Sequence, residues 1–222
     1  MHALLLHAHP EPRSFASALR DVARDTLRAD GHTIVESDLY AMRFDPVGGP
    51  HDMLARGNVE RFAYQFEQQH AADGGGFDPV LAGEMDKLRT ADLLVLTFPL
   101  WWFSMPAILK GWVDRVCAFG LVYGRGQAYA TAPWRGKRAI CAVTTGSPAA
   151  AFTAGGRNGD IDQVLHHVHF GMLHFIGCEV LPPFVAYGAA RVDDEGRAAY
   201  LTAWAQRLHA LDATAPLLSF PR

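Results

Sequence analysis

ADLLVLTF (91–98) followed by PLWWFSMPAILKGWVDRV (99–116) is the stretch whose reading decides the fold. Ala91–Phe98 is a near-continuous apolar run, which suits a strand covered on both faces, and Pro99 ends it. Leu100, Trp101, Trp102 and Phe103 follow with no polar residue between them. Such a run is unfavourable in water and a poor ordinary connection, so it lines a site or an interface, and it suits a flat ring. Pro106 sets the first turn of a helix whose Ala107, Ile108, Leu109, Trp112, Val113 and Val116 form an apolar stripe at helical spacing. The order is strand, loop, helix.

Working outward, similar strand-like runs recur at Ala3–His7, Thr33–Ser37, Ala139–Thr144 and Glu179–Phe184. Helical patterns fill Ser14–Arg28, Pro79–Leu88, Ile108–Phe119, Asp160–Phe175 and Asp194–Leu211. Strands alternating with helices imply parallel βαβ units wound on both faces of one sheet. An α/β doubly wound parallel sheet of five strands in the order 2-1-3-4-5 is expected, as one domain over residues 1–222. The long piece Tyr40–Phe77 exceeds a tight crossover and is expected to be a partly helical excursion at a subunit interface.

The net charge of −3 is small and no Lys/Arg-rich block is present, which argues against nucleic acid or an anionic membrane as partner. No signal peptide is read after Met1, and no apolar stretch approaches the ~20 residues of a membrane span. A soluble, cytoplasmic protein with a small-molecule partner is expected. Cys117, Cys141 and Cys178 are isolated on apolar elements and read as free thiols in a reducing compartment.

In an open doubly wound sheet, ligands bind beyond the carboxyl ends of the strands. After the first strand comes HAHPEPRSF (7–15), where Ser14 can cap a helix whose free N–H groups attract phosphate, and where His9 and Arg13 add donors. After the third comes the aromatic loop. After the fourth come Thr144, Thr145, Gly146 and Ser147, then the glycine-rich GGRNGD (155–160). Phosphate donors, an aromatic wall and small polar donors together describe a site for a nucleotide with a heteroaromatic ring. Taken singly, Ser14 is a helix cap, His9 a loop histidine and the aromatics core residues; only their convergence raises them. Ala154 holds the first glycine position of the G-x-G-x-x-G fingerprint, no G-x-S-x-G elbow surrounds Ser147, and no P-loop exists. His166 and His169 lie one turn apart, but no carboxylate or thiol in that helix completes a metal set, so no metal is expected.

HPEPRSF (9–15), ESDLYAMRFDP (36–46), FPLWWFSMPAILKGWVDRV (98–116), TTG (144–146), GRNGD (156–160) and LHFIGCEVLPP (173–183) resemble, in order, the flavodoxin-like NAD(P)H:quinone oxidoreductases, the group of DT-diaphorase and its bacterial relatives. The resemblance implies a homodimer with one flavin per site near the subunit interface, FAD by family precedent with FMN as the other choice. A reduced nicotinamide nucleotide, NADH or NADPH, passes a hydride to flavin N5 and leaves; a quinone then takes its place, giving ping-pong kinetics. On the matching motifs, His9, Ser14 and Phe15 would hold the phosphate and ribityl region. Pro99, Leu100, Trp101, Trp102 and Phe103 would line one edge of the ring system; Thr144, Thr145, Gly146 and Ser147 would line the opposite part. Arg197 falls where relatives place an arginine near the dinucleotide, and Tyr123 matches a tyrosine that covers the substrate pocket from the partner subunit.

Two departures stand out. Where mammalian members carry a tyrosine and a histidine as a proposed proton relay, this chain has Phe152 and Asn158, neither of which can pass a proton near neutral pH. Arg157 is the candidate that offsets the charge of the reduced flavin in their place. The sequence also ends at Arg222, without the C-terminal extension of the longer mammalian enzyme, which leaves the nicotinamide donor open. Three other readings share the features: a flavoprotein ancillary subunit of a potassium-efflux system, an azo- or nitro-compound reductase, and a one-electron carrier, for which the chain is long and too little acidic.

Overall fold

The structure is a computed structural model that describes residues 1–220; Pro221 and Arg222, the end of the expected 1–222 span, lie outside the described residues. Its strands are β1 (His2–His7), β2 (Thr33–Asp38), β3 (Leu93–Pro99), β4 (Arg138–Thr144), β5 (Glu179–Val180) and β6 (Phe184–Ala186). All pairings between them are parallel, in the order β2-β1-β3-β4-β5, with β6 also on β4. This is the expected order.

Side-chain alternation shows why helices cover both faces. From β1 and β3, Ala3, Leu5, Leu93 and Val95 pack with Leu19, Ala23 and Leu27 of α1 (Phe15–Ala29) and Trp204 and Leu208 of α7 (Asp194–His209). Their neighbours Leu4, Leu6, Leu94 and Leu96 pack on the other face with Leu81 and Leu88 of α3 (Pro79–Thr90) and Leu109, Trp112 and Val116 of α4 (Ala107–Val116). The continuous apolar reading of β3 follows from this: all seven of its residues are buried.

The fifth strand differs from the expected Glu179–Phe184. Leu181 still donates to Ala139 O at 2.9 Å, but Pro182 and Pro183 carry no N–H, and the ladder is broken into β5 and β6. The helix expected over Asp160–Phe175 is likewise divided. A first piece, α5 (Ile161–Val164), stops at Leu165, whose ψ of 0° leaves the helical region; α6 (His166–Val168) then widens into a π-type turn over His169–His174. The helix expected to reach Phe119 ends at Val116, because Cys117 takes ψ 58°.

The 40–77 excursion is partly helical, with α2 (Tyr64–His70) and a π-type turn at Ala71–Gly75. Buried charge ties it to α4. Arg115 and Asp52, 5 % and 1 % exposed, meet at 2.6 Å through Nη2 and 3.0 Å through Nε, and the Tyr64 hydroxyl also donates to Asp52. Gly111 lets the excursion approach: a Cβ there would lie 2.3 Å from the backbone oxygen of Pro46.

This contact sets two effects of opposite sign against each other. Helix propensity alone makes Gly111→Ala stabilising by about 1 kcal/mol. Forcing Pro46 away is an overpacking change costing about 1–3 kcal/mol, and the pinned backbone places it at the upper end. Gly111→Ala is therefore expected to lower the urea midpoint with an unchanged m-value; a midpoint at or above that of the parent chain would mean that the excursion yields freely.

Candidate functional site

The carboxyl ends of β1, β3 and β4 lie level because their registers are parallel: His7 pairs with Thr97, and Pro99 with Thr144. A cleft of about 760 Å³ opens there, lined by Ser14, Phe15, Pro99, Leu100, Trp101, Thr144, Thr145, Gly146 and Arg197 among others. A hollow of about 190 Å³ shares Leu100, Thr145 and Gly146 with it and adds Trp102, Phe103, Ser147, Phe152 and Asn158. The two form one groove, and it gathers most of the residues expected from sequence.

Each loop is held in shape locally. Ser14 caps α1, its Oγ accepting from Ser17 N at 3.1 Å, so the positive end of the helix faces the groove. Arg13 and Arg197 stand on the same rim, on side chains 92 % and 44 % exposed. The aromatic loop is a tight turn in which Trp101 and Ser104 exchange both backbone hydrogen bonds at 3.0 Å, anchored by Leu100 N donating to Thr144 O at 2.8 Å. Trp102 and Phe103 sit inside this turn at φ 51° and 58°, a left-handed conformation costing a bulky residue about 1–2 kcal/mol. The Ser104 hydroxyl lies 2.8 Å from His167 Nε2.

The third loop is fixed from the edge of the sheet. Thr145 N donates to Ala186 O at 3.0 Å, its Oγ1 donates to Ser147 O at 2.8 Å, and Ala189 N donates to Thr145 O at 3.0 Å. At Gly146 nothing lies within 4 Å of where a Cβ would stand, so bare backbone fronts the groove. Phe152 is buried against Tyr187, ring centroids 5.8 Å apart, and Asn158 N donates to Ala151 O at 2.9 Å.

Three expected residues stand apart. His9 borders the groove, its ring 6.2 Å from that of Trp101 and its Nδ1 accepting from Glu11 N at 3.0 Å. Arg157 is exposed and lines neither part of the groove. Tyr123 lines a separate recess of about 280 Å³ with Lys110, Asp114, Cys117 and Met172, packed on Phe119 and Phe175.

Sequence reasoning missed Ala189, Ala190 and Leu201, which also line the cleft. Leu201 was findable, four residues from Arg197 on one helix face. The two alanines follow the broken edge strand, whose path carries no sequence signal. Also missed was a role for His7, read as the end of a strand and the first residue of the loop that follows it. It is 1 % exposed, and burial first, with the Arg20 guanidinium second, lowers its pKa from 6.5 to about 4.

A family model described as "Flavodoxin-like fold" matches residues 1–208. A ribosyldihydronicotinamide dehydrogenase [quinone] of Pongo abelii is 39 % identical over 215 residues, 96 % of this chain and 93 % of that protein. NAD(P)H dehydrogenase [quinone] 1 of Rattus norvegicus is 35 % identical over 220 residues, 99 % of this chain and 80 % of its own length. Among solved structures, a Klebsiella pneumoniae protein assigned as a quinone reductase superposes with a TM-score of 0.94 at 40 % identity, covering 98 % of this chain and 87 % of that one.

The depressed pKa of His7 has a consequence for stability. Its folded value, about 4, lies below the unfolded 6.5, so the unfolded state takes up the proton first. The contribution is complete above pH 6.5 and is lost as pH falls toward 4; His169, lowered to about 4 by its own burial, acts in the same window. Stability is expected to fall between pH 6.5 and 4.5, above the range where carboxylates dominate, and His7→Gln to flatten that slope. Urea midpoints across this range check it.

Proposed function

The chain belongs to the flavodoxin-like family of NAD(P)H:quinone oxidoreductases, and from that membership we propose how its groove performs the family's reaction. The protein is an oxidoreductase that reduces quinones by way of a flavin. The observation that carries the assignment to this groove is the convergence, in one cleft of about 760 Å³, of a capped helix N-terminus, an aromatic turn and a bare glycine backbone.

These residues fit a flavin. Its phosphate suits the N-terminus of α1 and the Ser14 hydroxyl, with Arg13 and Arg197 offsetting the negative charge. Its ring suits the apolar edge of Pro99, Leu100, Trp101, Trp102 and Phe103, while Gly146 admits backbone N–H groups close to a planar edge. Arg197, at the position where relatives place an arginine near the dinucleotide, favours FAD over FMN. When bound, the flavin supplies two-electron transfer between a nicotinamide donor and the quinone. The chain's own task is to orient the ring, keep its open face accessible and place donors along its edge. Asn158, on the groove, offers an amide N–H there that does not titrate near neutral pH.

The groove in one chain is incomplete on its outer side. Trp102 is 97 % exposed, and Leu54, Val59 and Phe66 of the excursion are exposed as well. A large apolar ring in water marks a contact surface. In our reading the working form is a cytoplasmic homodimer of single-domain chains, in which Tyr123 of a second copy covers the substrate side. The donor is a dihydronicotinamide compound; the relatives' names give ribosyldihydronicotinamide and NAD(P)H.

Purified protein loaded with FAD and mixed anaerobically with NADH, NADPH or dihydronicotinamide riboside is expected to bleach rapidly at the flavin band, with colour restored by one equivalent of quinone. Bound flavin that no donor reduces would favour the regulatory role instead. Asn158→Ala is expected to slow the bleaching about tenfold without loss of flavin. Arg157→Ala is expected to change it less, since solvent screens an exposed charge; an effect larger than that of Asn158→Ala would restore the arginine to the centre of the mechanism.

A further inference from the structure

Behind Ser14 a chain of polar side chains runs into the sheet. His7 Nδ1 lies 2.8 Å from Thr97 Oγ1, and His7 Nε2 lies 3.1 Å from Ser17 Oγ. Ser17 Oγ in turn lies 2.9 Å from Ser14 Oγ and 3.1 Å from the carbonyl oxygen of Glu11. His7, Ser17 and Thr97 are all within 1 % of full burial.

The protons in this chain can be counted. The Glu11 carbonyl only accepts, so it takes the single hydroxyl proton of Ser17. Ser17 Oγ must then receive from its other two partners, from His7 Nε2–H and from the Ser14 hydroxyl. His7 is thereby fixed as the Nε2–H tautomer, with Nδ1 accepting from Thr97 Oγ1–H. The low pKa agrees, since a neutral imidazole offers one donor and one acceptor.

We propose that His7 is a positioning residue for the flavin phosphate: its Nε2–H keeps the buried Ser17 oxygen satisfied, which frees the Ser14 hydroxyl to turn outward and donate to the phosphate. This rests on the reading above that the cleft takes a phosphorylated flavin at Ser14. Without His7, Ser14 holds the only side-chain proton left for Ser17, and turning it outward strips a buried oxygen of its donor. The hydroxyl then stays inward and the phosphate loses a partner. The backbone N–H groups of α1 remain in place, so binding weakens rather than vanishes.

The test is binding, read from flavin fluorescence, of FMN and of riboflavin, which share the ring and differ in the phosphate. The parent chain is expected to bind FMN more tightly. His7→Leu should weaken FMN about tenfold, the worth of one hydrogen bond, and leave riboflavin unchanged. His7→Gln, which keeps an N–H donor, should restore FMN binding, and on a Ser14→Ala background His7→Leu should change nothing further. Ser17→Ala, which removes the inner acceptor and does not depend on a histidine-free core folding, should keep the FMN preference. Equal weakening of FMN and riboflavin by His7→Leu, an undiminished effect without Ser14, or a lost preference in Ser17→Ala would each overturn the proposal. A parent chain that binds riboflavin as tightly as FMN would show that no phosphate sits at Ser14, which removes the site reading and the proposal together.

Discussion

Everything at the ligand-binding end depends on the parallel ladder between β3 and its two neighbours. Because Thr97 pairs with His7 on one side and Pro99 with Thr144 on the other, three loops leave the sheet at one level. The ladder then continues one residue past the strand, Leu100 N to Thr144 O at 2.8 Å, and this bond sets the aromatic turn beside the Thr144–Ser147 loop. A shift of β3 by one residue would turn every side chain of the strand to the other face and carry the aromatic turn about 3.3 Å along the sheet. With Leu94 and Leu96 on one face and Leu93 and Val95 on the other, such a shift would exchange every packing partner of the strand.

The same ladder explains which parts were legible in the sequence. The strand ADLLVLTF and the loop after it announce themselves because burial on both faces demands an unbroken apolar run, and an apolar loop needs a reason. Ser14 was legible because caps follow from local chemistry, and Asp78 before α3 and Asp193 before α7 act likewise. What was not legible depends on distance in sequence. Asp52 and Arg115 pair across 63 positions, and nothing near either residue names its partner. The edge strand was misjudged for a different reason. Glu179, Val180 and Leu181 suit a strand, but Pro182 and Pro183, visible in the sequence, lack N–H groups and already marked the break, Pro183 falling where the next donor to β4 would stand. His7 was hidden by its setting: at the end of an apolar run a histidine reads as the strand's last residue, and only the fold reveals hydroxyl partners from β3 and α1 on its two nitrogens.

Charge in the molecule is arranged locally rather than overall. A net charge of −3 offers no attraction for an anion, yet the groove's rim carries Arg13, Arg197 and a helix N-terminus. Each of these arginines has a carboxylate beside it, Glu11 for Arg13 at 3.5 Å and Asp194 for Arg197 at 4.0 Å. Glu11 accepts from the backbone N–H and the guanidinium of Arg13, which lowers its pKa, and Asp38 receives Arg20 at 2.8 Å. The positive field at contact in the groove therefore comes chiefly from the N-terminus of α1, since the rim arginines are partnered and exposed charges beyond about 10 Å are screened.

The aromatic turn shows how a fold sustains a local cost. Two bulky residues in succession, Trp102 and Phe103, hold left-handed backbone that glycine would adopt freely. Glycine at either position would relieve the strain and also remove a ring from the groove, so strain and ring come together. The opposing forces are all short-range: two backbone bonds between Trp101 and Ser104, the Leu100 bond to β4, and the Ser104 hydroxyl against His167. At about 0.5–1.5 kcal/mol each, four such bonds offset two strained residues with little to spare. The turn is thus held by the sheet on one side and by α6 on the other rather than by its own sequence. The helix after Asp160 breaks at Leu165, and its second piece is the one that sets His167 against Ser104.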